Sequence, residues 1–527
     1  MPILINNINA ALDETEQSVI QRALSRLGKE KNSAVSCGVH KVSLDARKRS
    51  SIHYVYSVFV RLQDSAAEQR LCSKYKDLTL VSPAVFDPVI GSKKAQGKII
   101  ITGFGPAGMF CALALAEHGY KPIVIERGES IEKRTASVSS FWQGGELNTS
   151  SNVQFGEGGA GTFSDGKLTT RINDPLCRYV LERLAQFGAP DEITVKAKPH
   201  IGTDKLRTVV KAIRNRIISL GGEVRFETCL EDITLSAQGV SSVSTSKGEE
   251  KTAALVLALG HSARDTFEML AQKGIVMQPK AFSVGARIEH LQSEVDKSLY
   301  GSMAGSSLLP RGEYQLSHRE NGRGVYTFCM CPGGTVVPAA SEHGGIVTNG
   351  MSEFARDGAN ANSALVVGVS PEDFGSGVLA GVDFARSIEQ RAYKLTGGYK
   401  APATTVRGFL SGKADLDTNI IPTYARGVVP CDLTKLFPKI VTDMMSLGLR
   451  MFSRKMACFG DGNALLTAPE TRTSSPVRIT RNDELTALGT ENLYPCGEGA
   501  GYAGGIMSAA VDGLRVAAKI MSRIAPP

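Results

Sequence analysis

The pattern of apolar and polar positions divides the chain into parts with different periodicity. In residues 1–90, apolar side chains recur at helical spacing over 19–27 and alternate with polar ones over 52–62. Two more short strands are predicted, at 3–8 and 42–45. The order strand, helix, strand, strand predicts a small α+β domain, which a glycine- and lysine-containing linker at 91–97 follows.

A different pattern begins at residue 98. An apolar strand at 98–102 leads into a glycine-rich turn, an apolar helix at 108–117 and a second strand at 122–125. Strands that alternate with helices in this way are typical of a parallel sheet. Helix and strand patterns continue at 206–259.

The region from about 275 to 465 interrupts this alternation with β-like runs and glycine-rich turns, and the strand–turn–helix pattern returns at 492–520. We therefore predict an α/β protein in which a Rossmann-type domain is split by a β-rich substrate domain. The predicted boundaries are 98–274 for the first part, 275–465 for the insertion and 466–527 for the C-terminal part.

The turn after the first strand of this unit has the sequence Gly103-Phe-Gly105-Pro-Ala-Gly108, and the next strand ends on Glu126. In a dinucleotide site, the first glycine allows a tight turn, the second lets a pyrophosphate approach the backbone, and the third lets helix and strand pack closely. The helix N-terminus offers free N–H groups to the phosphates. Glu126 is predicted to accept the ribose hydroxyls, which disfavours NADP and leaves FAD and NAD open.

Four segments decide between FAD and NAD. Glu126-Arg127-Gly128, the glycine-rich run at 156–168, the strand and glycine at 255–260 and the motif at 493–506 together resemble the glutathione-reductase-like superfamily of FAD enzymes. The resemblance implies non-covalently bound FAD and a glutathione-reductase-like fold. It implies the following cofactor-binding residues: Gly103, Gly105, Pro106, Ala107, Gly108, Glu126, Arg127, Gly159, Gly161, Thr162, Ser164, Asp165, Gly166, Gly260, Gly497, Glu498, Gly504, Gly505 and Ile506.

More narrowly, the segments 328–334, 347–351 and 470–478 are similar to those of a bacterial family of FAD-dependent dehydrogenases that carry an extra N-terminal domain. This similarity covers about residues 95 to 520. It implies a flavin-dependent dehydrogenase, and it does not imply a substrate.

The candidates for chemistry are few. Cys329 and Cys331 form a CxC, which would suit a strained, reducible disulfide beside a flavin, although packing of two small side chains is the more common role. Arg472 and Arg478 flank a Ser/Thr cluster that would suit a carboxylate or phosphate, or a surface salt bridge. Lys167 follows the glycine-rich run and would lie near the flavin or in solvent. His261 and His290 are candidate proton donors, as are two other histidines.

Composition and charge bear on metal binding, cellular location and the kinds of partner that the protein can have. The ten cysteines contain no CxxC pair or zinc spacing, so we expect reduced thiols, no metal site and a cytoplasmic location. No apolar stretch is long enough to predict a membrane span. Of the net charge of +8, residues 1–97 carry +5, from 14 Lys/Arg against 9 Asp/Glu, and a basic turn, Arg47-Lys48-Arg49, lies within them.

The predicted function is an FAD-dependent oxidoreductase, a dehydrogenase or reductase, that transfers hydride between flavin and a small organic substrate. If NADH or NADPH reduces the flavin, it would bind only transiently, because no second dinucleotide motif is present in the sequence. One alternative is a flavin-dependent enzyme acting on RNA through the basic N-terminal domain, although nucleic acid is not the expected partner. Another is a non-catalytic flavin-bound sensor or interaction module. The sequence indicates no oligomeric state.

Overall fold

A computed structural model describes residues 1–237 and 239–527 of the chain. Within these residues the protein has a mixed α/β architecture with three main sheets. One lies in the N-terminal region, one contains the glycine-rich turn at residue 103, and one lies in the region that interrupts it.

The N-terminal sheet has four antiparallel strands, in the spatial order Ala34–Asp45, His53–Leu62, Ile3–Ala10 and Leu78–Leu80. Two helices, Glu16–Ser25 and Ser65–Lys74, bury apolar side chains in the same core as the strands. The order strand, helix, strand, strand, helix, strand is the split βαβ topology. The structure thus adds a second helix and an edge strand to the elements expected from the sequence.

The second sheet has a parallel part, in the order Glu223–Arg225, Ile123–Ile125, Lys98–Thr102, Gly248–Leu257 and Leu493–Pro495. The first half of Gly248–Leu257 also pairs antiparallel with Gly239–Thr245, which pairs with Leu230–Ser236. The second half, which joins the parallel part, is buried on both faces, so it is continuously apolar rather than alternating.

Helices cover both faces of the parallel part. Pro106–Glu117 is apolar on every side and almost wholly buried, as expected of a helix enclosed by other elements. It packs with Leu176–Gln186, Thr203–Ser219 and Ile506–Arg523 in one core, and Arg264–Gln272 packs in the core on the opposite face. Ile131–Trp142 lies beside the glycine-rich run at 156–168.

The third sheet lies between residues 282 and 470. Its seven strands stand in the order Ser317–Glu320, Arg323–Cys331, Asn360–Val369, Phe282–Leu291, Leu465–Glu470, Ala401–Thr405 and Val428–Pro430. All neighbours are antiparallel except the last two. The helices of this region are Gln292–Tyr300, Pro371–Phe374, Ala380–Thr396, Val406–Ser411 and Lys439–Ser453.

Short elements complete the chain. Two small antiparallel pairs are Met277–Pro279 with Val477–Ile479, and Thr335–Pro338 with Thr348–Met351. The 3-10 segments are Gly28–Ser33, Ala160–Phe163, Asp191–Thr194, Gly301–Met303, Leu433–Lys435 and Ala457–Phe459.

The N-terminal domain is attached to the rest by specific contacts. The backbone N–H and C=O of Val42 bond to Val195 and Ala197, both at 2.8 Å. In the basic turn, Arg47 pairs with Asp45, and Arg49 donates to the carbonyl oxygen of Ser298. Two of the three cations that raised the RNA alternative therefore already have partners inside the protein.

The segment 91–97 lies along the C-terminal end of the chain. The N–H of Gly91 donates to the Met521 carbonyl oxygen at 2.7 Å, and Ala525 donates to the Lys93 carbonyl oxygen at 2.8 Å. These bonds fix the segment on the domain that follows it. In residues 1–237 and 239–527, no helix is both long and apolar enough to cross a membrane.

Candidate functional site

The glycine-rich turn after strand Lys98–Thr102 contains glycines that are needed for different reasons. Gly103 has φ +99°, and a Cβ at Gly108 would lie 2.0 Å from the Gly103 carbonyl oxygen, so both positions are fixed by backbone packing. Gly105 has an ordinary φ of −79°, and a Cβ there would meet only the Cα of Gly159, at 3.8 Å. Its freedom from steric conflict leaves room for a ligand at this point.

Glu126 lies at the end of the next strand, as predicted, and is 5% exposed. Its carboxylate accepts hydrogen bonds from the backbone N–H groups of Phe104 at 2.8 Å and of Gly128 and Gly156 at 3.0 Å. A carboxylate offers about four acceptor positions. The protein itself uses three, so Glu126 has room for one ribose hydroxyl rather than the two that the sequence assigned to it.

Arg127 does not face the turn. Its guanidinium donates to Asp265 at 2.9 Å and to Thr266 at 3.1 Å, and it lies 4.4 Å above the ring of Phe155. These partners join the end of strand Ile123–Ile125 to the start of helix Arg264–Gln272. The nearby charge of Asp265 raises the pKa of Arg127 although burial opposes the shift.

The glycine-rich run at 156–168 is held by a residue that the sequence analysis missed. Arg134, on helix Ile131–Trp142, is fully buried and pairs with no carboxylate in the described chain. It donates instead to five backbone carbonyl oxygens, those of Asn152, Val153, Gly156, Glu157 and Gly159. Burial lowers its pKa to about 10. Nothing in the helical pattern distinguishes Arg134 from a surface arginine, because its partners lie elsewhere in the sequence.

Several predicted cofactor residues in this run have structural partners. Asp165 is completely buried and forms a two-pronged ion pair with Arg356. The Ser164 hydroxyl donates to the Gly161 carbonyl oxygen at 2.6 Å, and the Thr162 carbonyl oxygen accepts from Thr203 at 2.6 Å. The Asp165 and Ser164 side chains therefore help to shape the loop.

Lys167 pairs with Glu313 at 3.1 Å and is therefore not a free cation. Burial works against its charge, but Glu313 and Asp165 raise its pKa. The Glu313 carboxylate also pairs with Lys198. Burial would raise the pKa of Glu313, but Lys167 and Lys198 outweigh it and lower the pKa to about 2. Lys167 thus joins the loop to the third sheet's region.

The C-terminal motif packs directly against the first turn. A Cβ at Gly497 would lie 2.7 Å from that of Ala107, and one at Gly513 would lie 2.1 Å from the Ala107 carbonyl oxygen. Close approach at these glycines brings helix Ile506–Arg523 alongside helix Pro106–Glu117. Asp512 fixes the turn by accepting from the Gly497 N–H at 2.8 Å and from Arg481.

Two long helices consequently begin in the same region. Both have a glycine at the N-cap, Gly105 in one and Gly505 in the other, so no side chain caps either N-terminus. A Cβ at Gly260, Gly504 or Gly505 would meet no other described atom within 4 Å. Pro106, Gly161 and Ile506 line one shared small cavity between the helices. The free N–H groups of both helices are available to an anionic or carbonyl-bearing ligand.

Glu498 is the acidic residue nearest to Gly504 in sequence. Its carboxylate is 26% exposed and accepts no hydrogen bond from any residue that the structure describes; His261 Nδ1 lies 3.8 Å away. Burial raises the pKa of Glu498 to about 7, with Lys280 opposing the shift and Cys329 adding to it. Burial and Arg472 lower the pKa of His261 to about 3. At neutral pH, Glu498 can therefore either donate or accept a proton, while His261 is neutral.

Arg472 and Arg478 form neither the joint anion site nor the surface salt-bridge loop that were the two alternatives from the sequence. Arg472 is buried and pairs with Glu389 through Nε at 2.9 Å and Nη2 at 3.0 Å; Arg264 pairs with the same carboxylate. Arg478 is exposed and lies 5.3 Å from the Tyr502 ring centre. Arg472 thus belongs to a buried ion cluster between the two large domains, in which its Nη1 has no hydrogen-bond partner among the described residues.

The CxC is not a regular strand segment. Cys329 has φ +45°, and strand Arg323–Cys331 loses register with its neighbour between Phe328 and Cys331. This β-bulge turns the Cys329 side chain away from the regular alternation. Both residues are free thiols, Cys329 partly exposed and Cys331 buried. His290, by contrast, lies in the core of the third sheet, against Phe459 and Tyr314.

These features fit a dinucleotide cofactor such as FAD. The helix N-termini at Gly105 and Gly505 suit phosphate and flavin oxygens, and Glu126 and Glu498 have acceptor capacity for ligand hydroxyls. Open space beside Gly105, Gly260 and Gly504 would admit such a ligand to the backbone. Among the residues described, no group of three or more His, Cys, Asp or Glu is arranged to hold a metal ion.

Comparisons with known proteins agree in part with this assignment. Residues 281–473 match the family described as FAD-dependent protein, C-terminal domain-like. A Clostridium beijerinckii protein, described only as uncharacterized, is 46% identical over 535 residues and is aligned over 100% of both chains. The family match supports a flavoprotein.

The solved structures that resemble this chain have much lower sequence identity to it than the Clostridium protein has. A geranylgeranyl bacteriochlorophyll reductase-like protein from Thermoplasma acidophilum has a TM-score of 0.36 and 11% identity, covering 81% of this chain and 78% of that one. Glycine oxidase from Bacillus cereus has a TM-score of 0.30 and 10% identity, covering 81% and 95%. TM-scores this low establish neither a shared overall fold nor a shared reaction.

Proposed function

The chain belongs to the family of the Clostridium beijerinckii protein and matches a FAD-dependent family over residues 281–473, and from this premise we propose that it is an FAD-dependent oxidoreductase. The observation that carries the proposal is the meeting of two uncapped helix N-termini, at Gly105 and Gly505, beside glycines that leave open space. FAD, when bound, supplies two-electron transfer chemistry.

The residues of the site would bind and orient the cofactor. The N-terminus of helix Pro106–Glu117 would hold the pyrophosphate, and the loop that Arg134 fixes would lie on its other side. The N-terminus of helix Ile506–Arg523 would favour negative charge on the flavin ring. Glu498, with its unused carboxylate, would accept from the ribityl hydroxyls.

The substrate we propose is a small organic molecule held between this site and the third sheet. Glu498 would exchange a proton with this substrate at a carboxyl oxygen. Its pKa of about 7 permits both the protonated and the ionised carboxyl group near neutral pH. The buried cluster of Arg264, Glu389 and Arg472 would keep the two domains in fixed relation. NADH or NADPH is proposed as a transient electron donor.

The first test is spectroscopic. The purified chain should show an oxidised-flavin band, or acquire one from FAD but not from FMN, since FMN lacks the part that Gly105 and Glu126 would hold. Absence of the band after FAD addition would refute the proposal. Gly398→Ala is the control for glycine substitutions in the site, and it should bind FAD like the wild type. A Cβ at Gly398 meets no described atom within 4 Å, and the residue lies beyond helix Ala380–Thr396.

The second test adds NADH or NADPH without oxygen. Rapid bleaching of the band would identify a nicotinamide-driven reductase. A band that persists would exclude a nicotinamide donor and direct the search to an organic one. A flavin that no candidate substrate reoxidises would favour the non-catalytic alternative, and tRNA binding that weakens steeply with salt would favour the RNA alternative.

A further inference from the structure

The β-bulge at Cys329 places a cysteine where glycine is the usual residue. Strand Arg323–Cys331 pairs regularly with Asn360–Val369 as far as Phe328, and Cys331 then pairs with Asn362. Two residues, Cys329 and Met330, therefore lie opposite a single residue of the neighbouring strand. A side chain at φ +45° is uncommon outside glycine, asparagine and aspartate. Bulges of this kind re-aim a side chain near functional sites.

A buried arginine holds the bulge in place. Arg287 is completely buried, and its Nη1 donates to the Cys329 carbonyl oxygen at 2.8 Å. Its remaining N–H groups bond to Asn362, Asn349 and Glu470 at 3.0–3.1 Å. All five guanidinium N–H groups have a partner, so the backbone at Cys329 is firmly positioned.

The two cysteines interact with each other. The Cys331 thiol donates to the Cys329 carbonyl oxygen at 3.4 Å. The neighbouring Cys331 side chain and the charge of Arg287 lower the pKa of Cys329 against the effect of burial. The neighbouring Cys329 side chain and burial raise the pKa of Cys331. Cys329 is therefore the thiolate of the pair and Cys331 the proton donor, an arrangement typical of reactive dithiols.

The pair lies close in the fold to the glycine-rich run. A Cβ at Gly333, two residues after Cys331, would lie 1.9 Å from the Arg356 carbonyl oxygen, and Arg356 pairs with Asp165 of that run. Lys167, in the glycine-rich run, stabilises the Cys329 thiolate, and Asp165 acts on Cys331. From the other side of the site, the charge of Cys329 acts on Glu498. Cys329 is thus within electrostatic reach of both sequence motifs that would contact the cofactor, although it belongs to the third sheet.

We propose that Cys329 and Cys331 are a redox pair that exchanges two electrons with the bound flavin. The inference rests on the proposed function. On oxidation, a bond forms between the two sulfurs, and the Cys331 S–H bond breaks. The thiolate and thiol together lose two electrons and one proton, and oxidised flavin accepts all of them. In the reverse direction, reduced flavin returns the electrons and the proton, and the S–S bond breaks.

The test counts electrons in the FAD-loaded full chain. The protein is oxidised with diamide, desalted and titrated with dithionite without oxygen. Flavin and disulfide each accept two electrons, so the wild type should take up about twice as many electrons per chain as Cys329→Ser or Cys331→Ser. Cys37→Ser, which alters an exposed thiol in the N-terminal domain, should match the wild type.

Mass spectrometry gives a second readout that does not depend on turnover. The peptide that contains both cysteines should resist alkylation in the oxidised protein and take two labels after flavin reduction. Apoprotein treated with NADH or NADPH, or with dithionite for the same short time, should keep the disulfide. If the loaded wild type takes up only as many electrons as Cys329→Ser and its peptide is alkylated throughout, the redox pair is refuted while the flavoprotein assignment stands. A chain that binds no flavin refutes both.

Discussion

Two glycines of the first turn should respond oppositely to the same substitution. Alanine at Gly108 would place a methyl group 2.0 Å from the Gly103 carbonyl oxygen, and ordinary contact begins at 3.4 Å. The turn would have to move by 3.4 − 2.0 = 1.4 Å, against a Gly103 whose φ of +99° is itself restrictive. Overpacking of this kind costs about 3 kcal/mol of unfolding free energy.

Alanine at Gly105 should instead leave the folded apoprotein almost unchanged. The new methyl group would meet only the Gly159 Cα at 3.8 Å, and φ −79° suits alanine. Loss of the glycine N-cap destabilises the helix, whereas the stiffer unfolded chain favours folding. These effects oppose each other, so the unfolding free energy should change by no more than about 1 kcal/mol. The methyl group would occupy the space proposed for the pyrophosphate, and FAD affinity should fall at least about tenfold, or about 1.4 kcal/mol.

The assay pairs urea unfolding of the apoprotein with FAD titration followed by flavin fluorescence. Gly108→Ala should lower the unfolding midpoint, Gly105→Ala should raise the FAD dissociation constant alone, and Gly398→Ala should change neither. If Gly105→Ala binds FAD as tightly as the wild type, the ligand does not lie against this turn. Equal loss of stability in both variants would contradict the steric argument.

Three further predictions test the surrounding network. Arg356→Met would leave the buried Asp165 carboxylate without its partner, so unfolding free energy should fall by about 3–5 kcal/mol in urea titrations, and Asp165→Asn with Arg356→Met together should cost less than either alone. Gly350→Ala would place a Cβ 2.3 Å from Nη1 of Arg287, and thermal unfolding should show a clear loss of stability. Glu498→Gln should change how apoprotein stability depends on pH. Because the folded-state pKa of about 7 lies above the ordinary value of 4.5, the folded form binds more protons, and wild-type stability should fall as pH rises between those values. The glutamine variant should lack this component, and an unchanged pH profile would contradict the raised pKa.

Local sequence patterns predicted the parts of the candidate site that are continuous in the chain. The turn at Gly103–Gly108, the helix after it and the strand that ends on Glu126 are each specified by neighbouring residues, because a strand, a tight turn and a helix start depend on short-range sterics and periodicity. The strand, turn and helix pattern at 492–520 also indicated the helix start near Gly505, whereas the run at 156–168 was identified by its resemblance to the glutathione-reductase-like superfamily. In the N-terminal domain, the pattern indicated the first helix and three strands, while the short edge strand Leu78–Leu80 was too brief to give a periodic signal.

The tertiary structure decided which polar groups are available. Arg472, Asp165 and Lys167 are polar candidates in the sequence, but each is neutralised by a partner far away in the chain: Glu389, Arg356 and Glu313. The reverse holds for Arg134, which looks ordinary in its helix and fixes the loop through five carbonyl groups. Ion pairing and burial depend on long-range packing, which no local pattern contains.

By itself, the sequence determined that this chain alternates strand and helix around a glycine-rich nucleotide motif, because backbone geometry follows from nearby residue types. Only the tertiary structure decided that two helix N-termini meet beside open glycines, that Glu498 keeps an unused carboxylate, and that a β-bulge interrupts the strand pairing at Cys329. These properties arise where segments distant in sequence approach one another, and their free energies depend on distances and burial that exist only in the folded chain.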